Sequence, residues 1–349
     1  MRILITGGAG FIGSHITEFY AKKKSNRVIV LDNLMRSKLF GSQQKSVEFN
    51  WRYLSQFRNV ERILGDVRKS KDIAEAIGRG VDCVIHTAGQ PGVGFSMANP
   101  EEDFQINAIG TFNVLECIRQ KSPSATFIYC STNKVYGENV HEFPLTEMAT
   151  RYRFRTLRGI PTTLSCGLAR HTPYGVSKYV GDLYAQEYAH SYRMKVGIFR
   201  MSCIYGTRQF GFEDQGWIAW FTIATLTRKP IVIYGDGKQV RDVLYVTDLV
   251  AAFDSFLESR FTHSVYNIGG GPNNTLSLLE CLQKIEQKTG KKIKPRLTQW
   301  RDADQKVYIS DISKVQKELH WKPTIAPDEG IEHLIGWVRN NLAIFNSSI

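Results

Sequence analysis

Gly7, Gly10 and Gly13 stand between a strand-like run, Ile3 to Thr6, and a helical run that reaches about Lys24. No other feature limits the fold as strongly. Glycines at this spacing allow a tight strand-to-helix turn and let an anionic group approach the free N–H groups of the helix N-terminus, where the dipole favours negative charge. A second strand, Arg27 to Leu31, follows and ends at Asp32. An acid there is placed to bind a ribose diol and to repel a 2′-phosphate. The unit therefore reads as a βαβ dinucleotide site that favours NAD over NADP.

Strand and helix signals then alternate through Glu61 to Leu64, Asp72 to Ile77, Asp82 to Thr87, Glu102 to Gln120, Thr126 to Cys130 and Lys195 to Arg200. This order predicts an α/β fold with a Rossmann-type, doubly wound parallel sheet. Ligands of such sheets sit at the carboxyl ends of strands, where Gly7, Asp32, Asp66, His86, Ala88 and Ser131 fall. From about Tyr205 the rhythm weakens. Gln215-Gly216-Trp217 opens a helix to Arg228, and Ile231 to Tyr234 reads as a short strand. The expectation is an NAD-binding domain over 1–204, joined by about 240–262, and a smaller, partly interleaved C-terminal substrate domain over 205–239 and 263–349. The connection from Glu138 to Pro173, rich in Arg, Thr and Gly, has a length usual for functional or mobile loops.

Thr172 and Pro173 carry the start signals of another helix, running to about Tyr192, because Thr can cap free N–H groups and Pro loses nothing at the first helical position. Tyr174 and Lys178, four residues apart, share a face of it. An ammonium beside a phenol favours the ionised phenol, so Tyr174 is a candidate base near neutral pH. The strand ending at Cys130 delivers Ser131 and Thr132 to the same sheet edge, where a hydroxyl can share a hydrogen bond with the oxygen that Tyr174 deprotonates.

The composition excludes other classes. With 349 residues and 42% hydrophobic content, the chain can bury a substantial core. It begins directly with a strand-like run, and no apolar stretch approaches the roughly 20 residues that span a bilayer. The expected location is cytoplasmic, without membrane insertion. Six scattered cysteines without a C-x-x-C pair read as buried thiols of a reducing compartment, and eight histidines without ligand spacing argue against a metal. The net charge of +12 favours an anionic partner. Its conspicuous clusters are Arg151, Arg153, Arg155 and Arg158, and Lys288, Lys291, Lys292 and Lys294, the lysines reading as a solvated face.

Together Gly7-x-x-Gly10-x-x-Gly13, Asp32, Asn107-x-x-Gly110-Thr111, Ser131-Thr132 and Tyr174-x-x-x-Lys178 resemble the extended short-chain dehydrogenases/reductases of the nucleotide-sugar epimerase and dehydratase group. The resemblance covers Met1 to about Asn340. A finer likeness, to the CDP-sugar 2-epimerases of O-antigen synthesis, rests on the stretch Ser131 to Gly137, Arg208-Gln209-Phe210, Asp214 to Trp217, Gly237 to Leu244 and Asp304-Gln305. The resemblance implies Tyr174 as base, Lys178 lowering its pKa, and Thr132 bonding the reacting hydroxyl. It implies that Gly7, Gly10, Phe11, Ile12, Gly13, Asp32, Asn33, Asp66, Val67, Ala88, Gly89, Asn107 and Ser131 bind NAD with Tyr174 and Lys178. Asn133, Arg208, Gln209, Gln215, Arg241 and Arg301 would hold the nucleotide sugar, the arginines because a guanidinium fork matches phosphate. A homodimer or homotetramer, pairing the helices near Glu102–Gln120 and Tyr174–Tyr192, is also implied, with no nucleic-acid partner. Sugar-nucleotide 4,6-dehydratases of the group carry Asp-Glu after the catalytic Thr. Here Asn133 and Lys134 cannot perform that acid–base work, so dehydration is disfavoured while transient oxidation of a carbinol remains open; the finer likeness implies epimerisation at C2 of CDP-paratose. The alternatives are a 4-epimerase or 4-ketoreductase on the same scaffold and, in another class, a non-catalytic relative that senses dinucleotide or binds RNA.

Overall fold

The computed structural model describes residues 1–39, 44–301 and 303–346. Its contacts divide the chain into two units: Met1–Val135 with Thr172–Arg200 and Val250–Tyr266, and Tyr136–His171 with Met201–Leu249 and Asn267–Ile349.

The first unit is organised by β1 (Arg2–Thr6), β2 (Arg27–Asp32), β3 (Val60–Leu64), β4 (Cys83–His86), β5 (Thr126–Thr132), β6 (Val196–Met201) and β7 (His263–Ile268). They form one seven-stranded sheet in the order β7-β6-β5-β4-β1-β2-β3. β1 pairs in parallel with both β2 and β4, β2 with β3, and β4 with β5. The central strands are apolar runs rather than alternating ones, and Ile3, Leu4, Ile5, Val28, Ile29, Val30, Val84, Ile85, Phe127 and Ile128 are fully buried. A parallel sheet covered on both faces requires that pattern. The chain winds outward from β1 in both directions, which puts the topological switch point, and with it a ligand crevice, between β1 and β4.

Six helices matter for the site: α1 (Phe11–Lys22), α2 (Ser70–Ile77), α3 (Val93–Ala98), α4 (Pro100–Phe104), α5 (Gly110–Lys121) and α6 (Pro173–Tyr192). The single helix expected from Glu102 to Gln120 is interrupted. α4 passes into a π-helical turn at Gln105–Ile109 before α5 begins. Such turns are rare and gather at functional sites. α6 begins as its sequence signals, with the Thr172 hydroxyl accepting from the Gly175 N–H at 3.2 Å and Pro173 in the first turn.

In the second unit, strand Val240–Tyr245 is the hub, paired with Cys203–Tyr205 and Val307–Tyr308 in parallel and with Thr275–Ser277 antiparallel. Helix Trp217–Thr227 is almost wholly buried, and helix Leu278–Thr289 opens on a capping box made by Ser277 and Glu280. The segment Tyr136–His171, assigned from sequence to the first domain, belongs to this unit, and so do Met201–Ile204 and Val240–Leu249, while His263–Tyr266, assigned to the second domain, falls in the first unit. The reason lies in the partners of the segment. Tyr136 Oη donates to Asn267 Oδ1 at 2.6 Å, the Tyr152 N–H to the Lys238 carbonyl at 2.9 Å, and Arg151 Nε to Glu280 Oε1 at 2.7 Å. A sequence window cannot see partners so far along the chain. No helix among the described residues is long and apolar enough to cross a membrane.

Candidate active site

The glycine turn is fixed by close backbone approach. Gly7 has φ +69°, and a Cβ there would lie 2.6 Å from Ala88 N; a Cβ on Gly13 would lie 2.2 Å from the Gly7 carbonyl oxygen. Those clashes explain why side chains are excluded. Gly10 is the N-cap of α1 and provides no side-chain hydrogen bond, so the N–H groups of the first turn at Phe11 and Ile12 are left for a ligand. Asp32, at the end of β2, accepts the Ala9 N–H at 2.9 Å and the Leu34 N–H at 2.8 Å. Burial pushes its carboxyl up, and those two N–H groups pull it back. A narrow, side-chain-free turn with unpartnered N–H groups and an acid at the next strand end fits a dinucleotide.

At the end of β3, Asp66 is buried and opposed by that burial, yet the Arg68 guanidinium and N–H and the Asn33 carboxamide hold it at about 2. The contacts are Arg68 Nη2 at 2.6 Å and Asn33 Nδ2 at 3.0 Å. Val67 packs into the core beside Gly110. His86 donates and accepts between Thr6 Oγ1, at 2.6 Å, and Thr111 Oγ1, at 3.0 Å, and burial pulls it down to about 3. It is a neutral core ring rather than an acid–base group.

Tyr174, Lys178 and Thr132 all lie in the first unit. The electrostatics of the pair differ from the sequence expectation. Burial pushes the Tyr174 phenol up to about 12, with the hydrogen bond from Thr132 as the leading effect in the other direction. The Lys178 ammonium sits 4.3 Å from the centre of the Tyr129 ring, and burial pulls it down to about 8. The expected lowering of the phenol by an adjacent ammonium is therefore not the principal influence in this state; the Thr132 hydroxyl takes that place. Both groups are displaced toward their neutral forms by the same cause, the low-polarity surroundings.

Two polar networks that no spacing rule revealed surround this pair. Ser131 Oγ donates to Asp182 Oδ2 at 2.7 Å, and Arg200 Nε and Nη2 reach the same carboxylate at 3.0 and 3.1 Å. Asp182 lies two helical turns beyond Tyr174 on the face that also carries Lys178, so its position on α6 was the available signal. The hydroxyl of Ser131, assigned to the cofactor, is thus held inside the protein, and Thr132 is the one beside Tyr174. Asn107, on the π turn, directs Nδ2 to the Gln90 carbonyl, Asp103 Oδ1 and Ser177 Oγ at 3.0, 3.0 and 3.2 Å. Its Oδ1 accepts the Gln90 N–H at 2.9 Å and would lie 3.0 Å from a Cβ on Gly89. Among the described residues no three His, Cys, Asp or Glu side chains gather as a metal site.

The residues assigned to the nucleotide sugar in the second unit are largely held by their own neighbours. Arg241 Nη2 meets Asp304 Oδ1 at 2.6 Å, and its Nη1 reaches the carbonyls of Gln305 and Val240 at 2.6 and 2.8 Å. Arg301 Nη2 donates to Asp214 Oδ1 at 2.6 Å while its guanidinium stacks 3.9 Å from the Tyr234 ring centre. Gln209 is buried and donates to the Ile204 carbonyl at 3.2 Å. Arg208, also buried, has a positive φ of 57°, and Gln215 pairs with Phe212 through two backbone hydrogen bonds. In the first unit, Asn133 is buried directly after Thr132, whose Oγ1 lies 3.4 Å from its Oδ1.

The NAD dependent epimerase/dehydratase family matches residues 3–269. The chain is 37% identical over 347 residues to a CDP-paratose 2-epimerase of Salmonella typhi, covering 97% of this chain and 99% of the relative. It is 32% identical over 341 residues to a putative UDP-glucose 4-epimerase of Methanocaldococcus jannaschii, with coverages of 97% and 99%. Among solved structures, a UDP-glucuronic acid 4-epimerase from Bacillus cereus in complex with UDP-glucuronic acid and NAD superposes with a TM-score of 0.82 at 26% identity, covering 98% of this chain and all of that one.

Proposed function

Because the chain belongs to the NAD-dependent epimerase/dehydratase family, we propose that it inverts C2 of CDP-paratose to give CDP-tyvelose, by transient oxidation at that carbon and return of hydride to the opposite face. One observation carries the reading: Tyr174 is half-buried on the helix that carries Lys178, the Thr132 hydroxyl acts to lower its phenol, and the residues after Thr132 are Asn133 and Lys134. That set can move a proton on and off a sugar hydroxyl but lacks the carboxyl pair that eliminating water needs.

In this mechanism the Tyr174 phenolate takes the proton of the C2 hydroxyl while Thr132 donates to the same oxygen. NAD held by the glycine turn and Asp32 would supply a positive charge and a reversible hydride acceptor. Burial pushes the phenol up to about 12, so a positive charge close to it would favour the phenolate. Tyr174 then returns its proton to the alkoxide of the inverted sugar. Gly7, Gly10, Phe11, Ile12 and Gly13 would hold the pyrophosphate of the dinucleotide, and Asp32 its ribose, with Asn33, Asp66, Ala88, Gly89 and Lys178 beside it. Asn133, Arg208, Gln209, Gln215, Arg241 and Arg301 would anchor the CDP-sugar, supplying binding energy remote from the reacting carbon.

A second reading, epimerisation at C4 of a UDP-sugar, is favoured by the 32% identity to a putative UDP-glucose 4-epimerase. Proton NMR of the protein with CDP-paratose distinguishes them. Anomeric signals of the manno-configured product support C2 inversion, while an unchanged spectrum, with UDP-glucose converted instead, contradicts it.

The same reading includes a homo-oligomer. Val176, Leu183, Tyr184 and Tyr192 on α6 are exposed, as are Met97 and Phe104 on α3 and α4. A helix face this apolar is suited to pairing with a second copy. Sedimentation showing only monomer at micromolar concentration would remove that part. All six cysteines are free thiols, which supports a reducing, cytoplasmic location.

A further inference from the structure

Asp103 is fully buried on α4, in a chain whose acids are otherwise mostly at the surface. Its Oδ1 accepts from Gln90 Nε2 at 2.7 Å and from Asn107 Nδ2 at 3.0 Å. Gln90 in turn folds the loop after β4 by donating to the Gly92 carbonyl at 2.9 Å and accepting the Gly92 N–H. Asn107 reaches Ser177 on α6, whose hydroxyl donates to the Tyr174 carbonyl at 3.1 Å. One carboxylate thus ties together the Ala88–Gly92 loop, the π turn and the first turn of α6.

We propose that Asp103 is a positioning residue for the Tyr174/Lys178 pair, orienting Asn107 and supplying from α4 a negative charge that acts on both members. The assignment rests on the reading of Tyr174 as the proton-transfer group. The charge of Asp103 raises both Tyr174 and Lys178, so it favours the ammonium and opposes the phenolate. Other groups around it do not take its place. Glu102 on the same helix is paired with Arg68 at 2.8 Å, and His86 is neutral. Cys130 is pushed up to about 12, and Asp182, which also acts on Lys178, is matched by Arg200. Burial raises Asp103 itself, while Ser177, Gln90, Lys178 and Asn107 pull it back.

The test needs no sugar substrate, so it stands apart from the identity of the donor. The ionisation of Tyr174 is followed by tyrosinate absorbance as the difference between the NAD-loaded protein and its Tyr174→Phe variant, in the parent and in an Asp103→Asn background. Asn keeps the volume and the acceptor oxygen and removes the charge. The expected result is a midpoint lower by about half to one pH unit, a roughly 3- to 10-fold larger ionisation constant. Asp103→Glu, which keeps the charge, should retain the parental midpoint. Should Asp103→Asn fail to fold, Asp103→Ser provides the neutral variant. An unchanged midpoint in a folded neutral variant overturns the proposal. So does failure of both neutral variants to fold, which would make Asp103 a structural residue only.

Discussion

The two units hold the charged groups proposed for the site in different ways. In the first, Tyr174 and Lys178 are pushed toward neutrality by burial, to about 12 and about 8, and stand ready for a charge brought by a ligand. In the second, Arg241 and Arg301 already have carboxylate partners, Asp304 and Asp214, each at 2.6 Å. A site that moves protons keeps its electrostatics unbalanced, whereas a site that grips phosphate can store its cations as ion pairs until the anion arrives. At the proposed phosphate site, binding would exchange one partner for another, which lowers affinity.

The largest effect expected from this contrast falls on Tyr174. Tyr174→Phe removes the proton carrier without disturbing packing, and kcat should fall by about 10²- to 10⁴-fold while NAD still copurifies. Steady-state rates and the cofactor content of the purified variant check both halves.

Next comes the buried ion pair of the first unit, Asp182 with Arg200, which departs from the contrast and sharpens it. Asp182→Ala leaves Arg200 buried without its carboxylate, so stability should drop by about 3–5 kcal/mol, read from the denaturant midpoint. A loss below about 1 kcal/mol would show that water reaches the pair.

A smaller effect concerns acid. Asp66 is held at about 2, below its unfolded value, so its contribution is present above about pH 4 and disappears as pH falls toward 2. Asp66→Asn should cost about 2 kcal/mol at neutral pH and only a few tenths of that near pH 2. Urea titrations at the two pH values give the comparison directly.

The smallest effects lie in the second unit and test partner exchange. Arg241→Ala should weaken CDP binding about tenfold, and Asp304→Asn, by releasing Arg241, should tighten it several-fold. Arg301 is more exposed, so Arg301→Ala should cost only about threefold. Calorimetric titration with CDP reads all three. Weaker binding by Asp304→Asn would break the contrast, since the carboxylate would then be orienting Arg241 rather than competing for it.

Much of the architecture could be read from local pattern. The glycine turn, the apolar strands, Asp32 and the Thr172-Pro173 start of α6 each act over a few residues, and the doubly wound parallel sheet follows from strand–helix alternation, except for the strand His263–Ile268 that the same reading left to the second domain. The rest depends on partners brought together by folding. The π turn at Gln105–Ile109 has no breaker in its sequence; buried hydrogen bonds of Asn107 accompany it. Arg151 reads as part of a basic cluster, but its partner Glu280 is 129 residues away. The same holds for the pair itself: the i,i+4 spacing puts Tyr174 and Lys178 on one helix, while the approach of the Lys178 ammonium to the Tyr129 ring is a matter of packing.

The most direct test of the account follows the hydrogen at the reacting carbon. CDP-paratose carrying deuterium at C2 is converted in ordinary water without added cofactor, and the product is examined by NMR. Full retention of deuterium at C2, with NAD neither consumed nor reduced overall, is the predicted result. Loss of the label to solvent would mean that the carbon is inverted by proton exchange through an enol, and the hydride mechanism built on Tyr174, Thr132 and Lys178 would be wrong.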